Sequence, residues 1–157
     1  MECDGLMRGF AAKAGLQEIK VEDGAAAVEI DGIQVSFLHD ESDDAVTIYG
    51  EIGFPPPEAN GPFGEVMPKA NHLFNGTDGA VLCQNPETFA YVLFRKVSLL
   101  ATDVETFCAQ VGRLVDQVEG WKRMLEGFRD VAEAAEDAVE DTAAFDNISD
   151  SDSFMWV

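Results

Sequence analysis

Hydrophobic and polar positions change period several times along the chain, and each change marks an element. Between Met1 and Leu16 the apolar residues Leu6, Phe10, Ala14 and Leu16 fall at roughly helical spacing. This predicts a first helix. Gly5, Gly9 and Gly15 lower its intrinsic propensity, so it must depend on packing. Two alternating runs follow, Ala26 to Ile30 and Ile33 to Phe37, separated by Asp31-Gly32. Asp-Gly is a hairpin turn whose glycine accepts positive φ. Pairing about it sets Ile30 against Ile33, Val28 against Val35 and Ala26 against Phe37 on one side, with Glu29, Gln34 and Ser36 on the other.

After the acidic loop His39 to Asp44, the run Ala45 to Ile52 alternates again and predicts a third antiparallel strand. Gly53 to Gly64 contains Pro55, Pro56, Pro57 and Pro62 and reads as an extended connection, because each proline removes a donor and restricts its neighbour. Val66, Met67, Ala70, Leu73 and Phe74 then recur at helical intervals within a second helix over Phe63 to Phe74, interrupted by Pro68. Ala80 to Gln84 and Phe89 to Val97 flank Asn85-Pro86-Glu87-Thr88 and predict a second hairpin. In its second strand Phe89, Tyr91 and Leu93 lie on one face and Ala90, Val92 and Phe94 on the other. Both faces are apolar, so both should be covered, by this chain or by a partner.

Thr102-Asp103-Val104-Glu105 fits a capping box with Thr102 as the cap. Beyond it Phe107, Val111, Leu114, Val115, Val118, Trp121, Leu125 and Phe128 form an apolar stripe that must face the sheet, on a helix reaching about Val139. The elements predict an α+β fold, an antiparallel sheet flanked by helices in the order α-β-β-β-α-β-β-α. Residues 1–139 form one domain and 140–157 an acidic tail expected to be disordered. The apolar cluster Phe154 to Val157 at the end of the tail is a candidate docking peptide.

Charge narrows the function. Thirty Asp and Glu against ten Lys and Arg give a net charge of -20 over 157 residues. Such a surface repels phosphate backbones and anionic leaflets, which excludes nucleic acid and membrane as partners and favours basic ones. No run approaches a membrane span, and no basic segment leads into an apolar one at the N-terminus, so a cytoplasmic protein is expected. Cys3, Cys83 and Cys108, odd in number and without a CxxC, read as free thiols in a reducing compartment.

Catalytic patterns are missing. There is no GxSxG, GxxxxGK[ST], HExxH or GxGxxG, and His39 and His72 fall in unrelated segments. The acidic runs Asp40 to Asp44 and Asp146 to Ser153 read as solvated loops; the second lacks the glycine at position six of a calcium loop. No enzyme, cofactor or metal is expected.

The AAAVEIDGIQVSF hairpin, the DDAVTIYGEIG strand before a proline-containing connection, and ANHLFNGTDGAVLCQNPETFAYVLFRKV before a capped helix ending near GWKRMLEGF resemble the CesT/Tir-type class I chaperones of type III secretion systems. The similarity spans about Met1 to Phe128. It implies a homodimer without enzymatic activity that holds the N-terminal segment of a secreted effector as an extended, secretion-competent chain. Leu6, Phe10, Leu16, Leu38, Tyr49 and Phe54 are the candidate effector-binding residues. Met67, Leu73, Phe74, Phe89, Tyr91 and Leu93 are the candidates for the dimer interface. The alternative is a small protein-interaction or regulatory module of the same fold with no secretion client.

Overall fold

The structure is a computed structural model and describes residues 2–17 and 19–149. Helix α1 spans Cys3–Ala14, strands β1, β2 and β3 span Ala25–Ile30, Ile33–Asp40 and Ala45–Gly53, and helix α2 spans Asn60–Asn71. Strands β4 (Val81–Gln84) and β5 (Tyr91–Ser98) follow, and helix α3 (Val104–Ser149) completes the order. The five strands form one antiparallel sheet in the order β1-β2-β3-β5-β4. The expected element order is therefore the observed one.

The first hairpin has the expected register: Ile30 pairs with Ile33, Val28 with Val35 and Ala26 with Phe37. Its turn sets Asp31 at φ 51° and Gly32 at φ 76°, the pair of positive angles that a two-residue turn needs to follow the sheet twist. One face of the sheet carries Val35, Phe37, Ile48, Leu82 and Leu93, all buried. All three helices meet this face. Phe10 of α1 packs edge-on against Phe37 and Phe107 with ring centroids 5.6 Å apart in each pair. Phe63 of α2 meets Tyr91 at 4.6 Å, Phe128 at 5.6 Å and Trp121 at 6.2 Å. Arg95, also turned to this side and buried, donates to the Gln110 side chain of α3 and to the Asp78 carbonyl. It thereby ties sheet, loop and helix together.

Several expectations need correction. Helix α2 begins at Asn60 rather than Phe63 and runs through Pro68 to Asn71. Pro62 is accommodated because it sits in the first turn, where backbone N–H groups have no partner within the helix. A short 3-10 turn, His72–Phe74, follows in place of further α-helix. Phe89 lies in the β4–β5 turn at φ 62° and not in the strand. The cap of α3 is Asp103, whose carboxylate accepts from the Thr106 N–H at 2.7 Å; the Thr102 hydroxyl instead lies 3.4 Å from the Asp103 carbonyl. Helix α3 continues to Ser149, ten residues past Val139, in keeping with the alanine-rich sequence there. The docking peptide Phe154 to Val157 lies outside the described residues.

Candidate functional site: an open sheet edge between two grooves

A sheet has two edges, and the sequence treats them differently. At the β4 edge, Leu82 turns its backbone groups outward, and the Asn71 side chain takes both, accepting from its N–H and donating to its carbonyl at 2.8 Å each. The strand is also only four residues long. Both features close an edge to further pairing.

The β1 edge is open. In a hairpin closed by Ile30 and Ile33, hydrogen-bonded pairs alternate, so Ala26, Val28 and Ile30 face β2 while Ala25, Ala27 and Glu29 face outward. Ala25 is satisfied by a reciprocal backbone pair with Glu22, 2.9 Å in each direction. The N–H and C=O of Ala27 and Glu29 meet no partner among the described residues.

Grooves lie on either side of that edge. One, of about 460 Å³, runs between α1 and the segment before β1 and is lined by Asp4, Met7, Arg8, Ile19, Lys20, Val21 and Glu22. The other, also about 460 Å³, lies on the second face of the sheet between Lys20, Ala27, Ser36, Leu38 and Tyr49. None of the helices covers that second face among the described residues. Leu38 is 45% exposed there, and Tyr49 and Phe94 are half-buried.

The six candidate effector-binding residues do not form one surface. Leu38 and Tyr49 come together in the second groove. Leu6 and Phe10 are buried in the core under α1, Leu16 is half-buried against that core, and Phe54 is exposed beyond β3, where its carbonyl accepts from Arg129 at 2.8 Å. Among the dimer candidates Leu73, Phe74 and Phe89 are exposed, at 75%, 48% and 64%. Met67 is half-buried against the core. Tyr91 and Leu93 are buried beneath the helices of their own chain; the face of β5 turned away from the helices carries Val92 and Phe94 instead. Ile19, Val21, Ala27 and Glu29 were not singled out from sequence, although the alternation Ile19-Lys20-Val21 and the side-by-side small residues of β1 were the available signals.

Little in this arrangement supports bond-making chemistry. Burial pushes the thiols of Cys3, Cys83 and Cys108 up from their ordinary pKa, away from the nucleophilic thiolate. Among the described residues no group of three His, Cys, Asp or Glu side chains is placed to hold a metal ion, and no helix is long and apolar enough to cross a membrane. An unpaired strand edge with grooves of mixed apolar and charged lining beside it is instead suited to hold an extended chain.

The fold is that of a small α+β protein whose five-stranded antiparallel sheet leaves the outer side of β1 unpaired at Ala27 and Glu29 among the described residues. The chain belongs to the Tir chaperone protein (CesT) family, whose model matches residues 5–122. Among solved structures it is similar to a chain of the HopA1–SchA chaperone–effector complex, at 16% identity and a TM-score of 0.63 over 76% of this chain and 91% of that one. It is also similar to a chain of the heterodimeric ExoU–SpcU complex from the type III secretion system of Pseudomonas aeruginosa, with 18% identity, a TM-score of 0.58, and coverage of 80% and 96%. A third relative in fold is YbjN from E. coli, a candidate transcription regulator, at 14% identity and a TM-score of 0.61 over 82% and 94% of the two chains. A search of curated proteins finds no match.

Proposed function

We propose that this protein is a type III secretion chaperone that binds the N-terminal chaperone-binding segment of an effector as an extended chain and keeps it secretion-competent. The observation that carries the reading is the pair of outward, unpartnered peptide units at Ala27 and Glu29, flanked by two grooves in which apolar residues (Ile19 and Val21; Leu38 and Tyr49) alternate with charged ones. A client strand laid along β1 gains main-chain hydrogen bonds there, and its alternate side chains reach the Ile19–Val21 groove and the Leu38–Tyr49 groove. Binding needs no catalysis, nucleotide or cofactor. The protein works in the bacterial cytoplasm, before secretion.

The protein acts as a homodimer in this reading. Leu73, Phe74 and Phe89 are large, apolar and exposed, and all three hold left-handed backbone angles, with φ of 52°, 57° and 62°. Bulky residues seldom adopt that conformation. Strained turns that present greasy side chains to water are what a subunit contact would exploit. Light scattering at twice the 17.0 kDa chain mass is expected.

The test is Ala27→Pro, assayed by co-purification with effector N-terminal fragments. The N–H of Ala27 faces outward, so proline there removes a donor to the client without breaking the β1–β2 ladder. Loss of client capture with an unchanged melting temperature supports the reading; full capture by a folded variant overturns it. The YbjN-like fold supports a second reading, an interaction or regulatory module without a secretion client. Capture of a folded regulatory protein, in place of an unfolded N-terminal segment, would favour it.

A further inference from the structure

Strand β4 is shorter than β5, and the stretch of β5 it leaves uncovered is polar. The two strands pair only from Tyr91 to Phe94. Because Leu82 turns its backbone outward to Asn71, Val81 and Cys83 exchange hydrogen bonds with Phe94 and Val92. The same alternation then sets the backbone groups of Lys96 and Ser98 toward that outer side. Their N–H groups meet no partner among the described residues, while the Ser98 carbonyl accepts from the Ala101 N–H at 3.4 Å. Two peptide units are too few to seat a strand. They border an open pit of about 330 Å³, lined also by Gly79, Arg95, Thr102, Thr106 and Gln110, within the roughly 300–1,000 Å³ of small-ligand sites. The pit lies on the β5–β4 side of the sheet, away from the β1 edge.

The chemistry of this pit runs against that of the chain as a whole. The grooves beside β1 contain Asp4, Glu22 and Asp23, whereas the pit has Arg95 and no carboxylate among its described lining. Arg95 is only 9% exposed, and a buried cation is costly unless an anion pairs with it. Its close partners are neutral, the Gln110 side-chain oxygen and the Asp78 carbonyl. The Asp78 carboxylate comes no nearer than 4.0 Å and is 65% exposed, and Nε of Arg95 has no hydrogen-bond partner among the described residues. Burial lowers the pKa of the guanidinium from its ordinary value, Asp78 opposes this, and Arg113 adds a like charge. The Lys96 ammonium is occupied by Asp40 and Asp43. Asp103 already caps α3 through the Thr106 N–H, so the attraction for an anion rests on Arg95 and the β5 edge. We propose that the pit binds one small oxyanion, the carboxylate or phosphate group of a free small molecule, with Arg95 as its counter-charge and the outward N–H groups of Lys96 and Ser98 as further donors. The planar guanidinium fork suits such a group because it matches two oxygens at once.

The experiment titrates the full chain with sodium phosphate and, separately, with sodium citrate in a calorimeter, against sodium chloride at matched ionic strength. At least one oxyanion should bind saturably at one site per chain and raise the melting temperature, as a ligand of the folded state must. Chloride should do neither. Gln110→Glu places a carboxylate on Arg95 where a neutral amide stood. It should weaken the oxyanion about tenfold or more and raise the melting temperature of the protein alone. Gln110→Leu, similar in bulk, removes a partner from Arg95 without adding charge, and should bind the oxyanion at least as tightly as the native protein. General salt effects on stability act on both variants alike, so the contrast between them reports the site. No saturable binding of either oxyanion, an equal response to chloride, unchanged affinity in Gln110→Glu, or equal loss in both variants would each overturn the proposal.

Discussion

The side-chain amide of Asn71 replaces a missing strand for Leu82, giving and taking one backbone hydrogen bond at 2.8 Å each. It anchors the end of α2 to the sheet and shuts the edge that lies opposite the proposed client path. Asn71→Ala should cost about 1–3 kcal/mol in urea unfolding, the range for partly buried backbone groups left without partners. It should also raise self-association seen by light scattering, since a bare edge recruits other strands. Asn71→Asp keeps the acceptor and loses the donor, and should fall between the two.

Gly50 of β3 lies directly beneath Val118 of α3. A methyl group there would lie 2.7 Å from Cγ2 of Val118, which is itself fully buried. Gly50→Ala should destabilise the protein by about 1–3 kcal/mol through overpacking. Val118→Ala opens the space the new methyl needs, so the double variant should be less destabilised than the sum of the two single ones. Strict additivity in denaturant unfolding would mean that the helix shifts freely over β3.

The first hairpin was legible because turn chemistry and alternation gave one register: Asp31-Gly32 and the facing pairs Val28–Val35 and Ala26–Phe37 agree, and the structure has them. The long helix was legible from its stripe. The site was not, because an edge is defined by what does not pair with it. Nothing local to Ala27 says that β1 ends the sheet, or that Asn71 reaches Leu82 eleven residues away to close the other side. For β5, alternation revealed two apolar faces but could not say which one the helices take. Arg95, in register with Ile48, lies on the helix side with Leu93 and leaves Phe94 on the open side. Leu6 and Phe10 have the apolar character of groove residues, and only the packing of Phe10 against Phe37 and Phe107 assigns it to the core.

The start of α3 tests a finer point of local chemistry. Thr102 and Asp103 both suit an N-cap, but only the Asp103 carboxylate reaches the Thr106 N–H, at 2.7 Å. That bond holds its pKa below the usual carboxylate range. Asp103→Ala should therefore lower the melting temperature, while Thr102→Ala should leave it nearly unchanged. The opposite ranking in thermal unfolding would restore Thr102 as the cap.

Acid should loosen the far end of the second face before it unfolds the rest. Asp40 accepts from the Ser42 hydroxyl at 2.6 Å, the Ser42 N–H at 3.1 Å and Lys96 Nζ at 3.0 Å, and these hydrogen bonds pull its pKa down from 3.8 to about 2. Because the folded pKa lies below the unfolded one, the unfolded chain takes up the proton first as pH falls. The contribution of Asp40 to stability is complete above the ordinary value of 3.8 and is lost between there and about 2. Lys96 is raised by Asp43 and Asp40, so its share is complete below its ordinary pKa of 10.5 and is lost as pH rises through the raised value. Asp40→Asn should thus be less stable than the native protein near neutral pH and equal to it by about pH 2. The groups are exposed, so the gap should shrink in high salt. A gap that persists below the folded pKa of Asp40 would mean that shape, and not charge, joins the β2–β3 turn to β5.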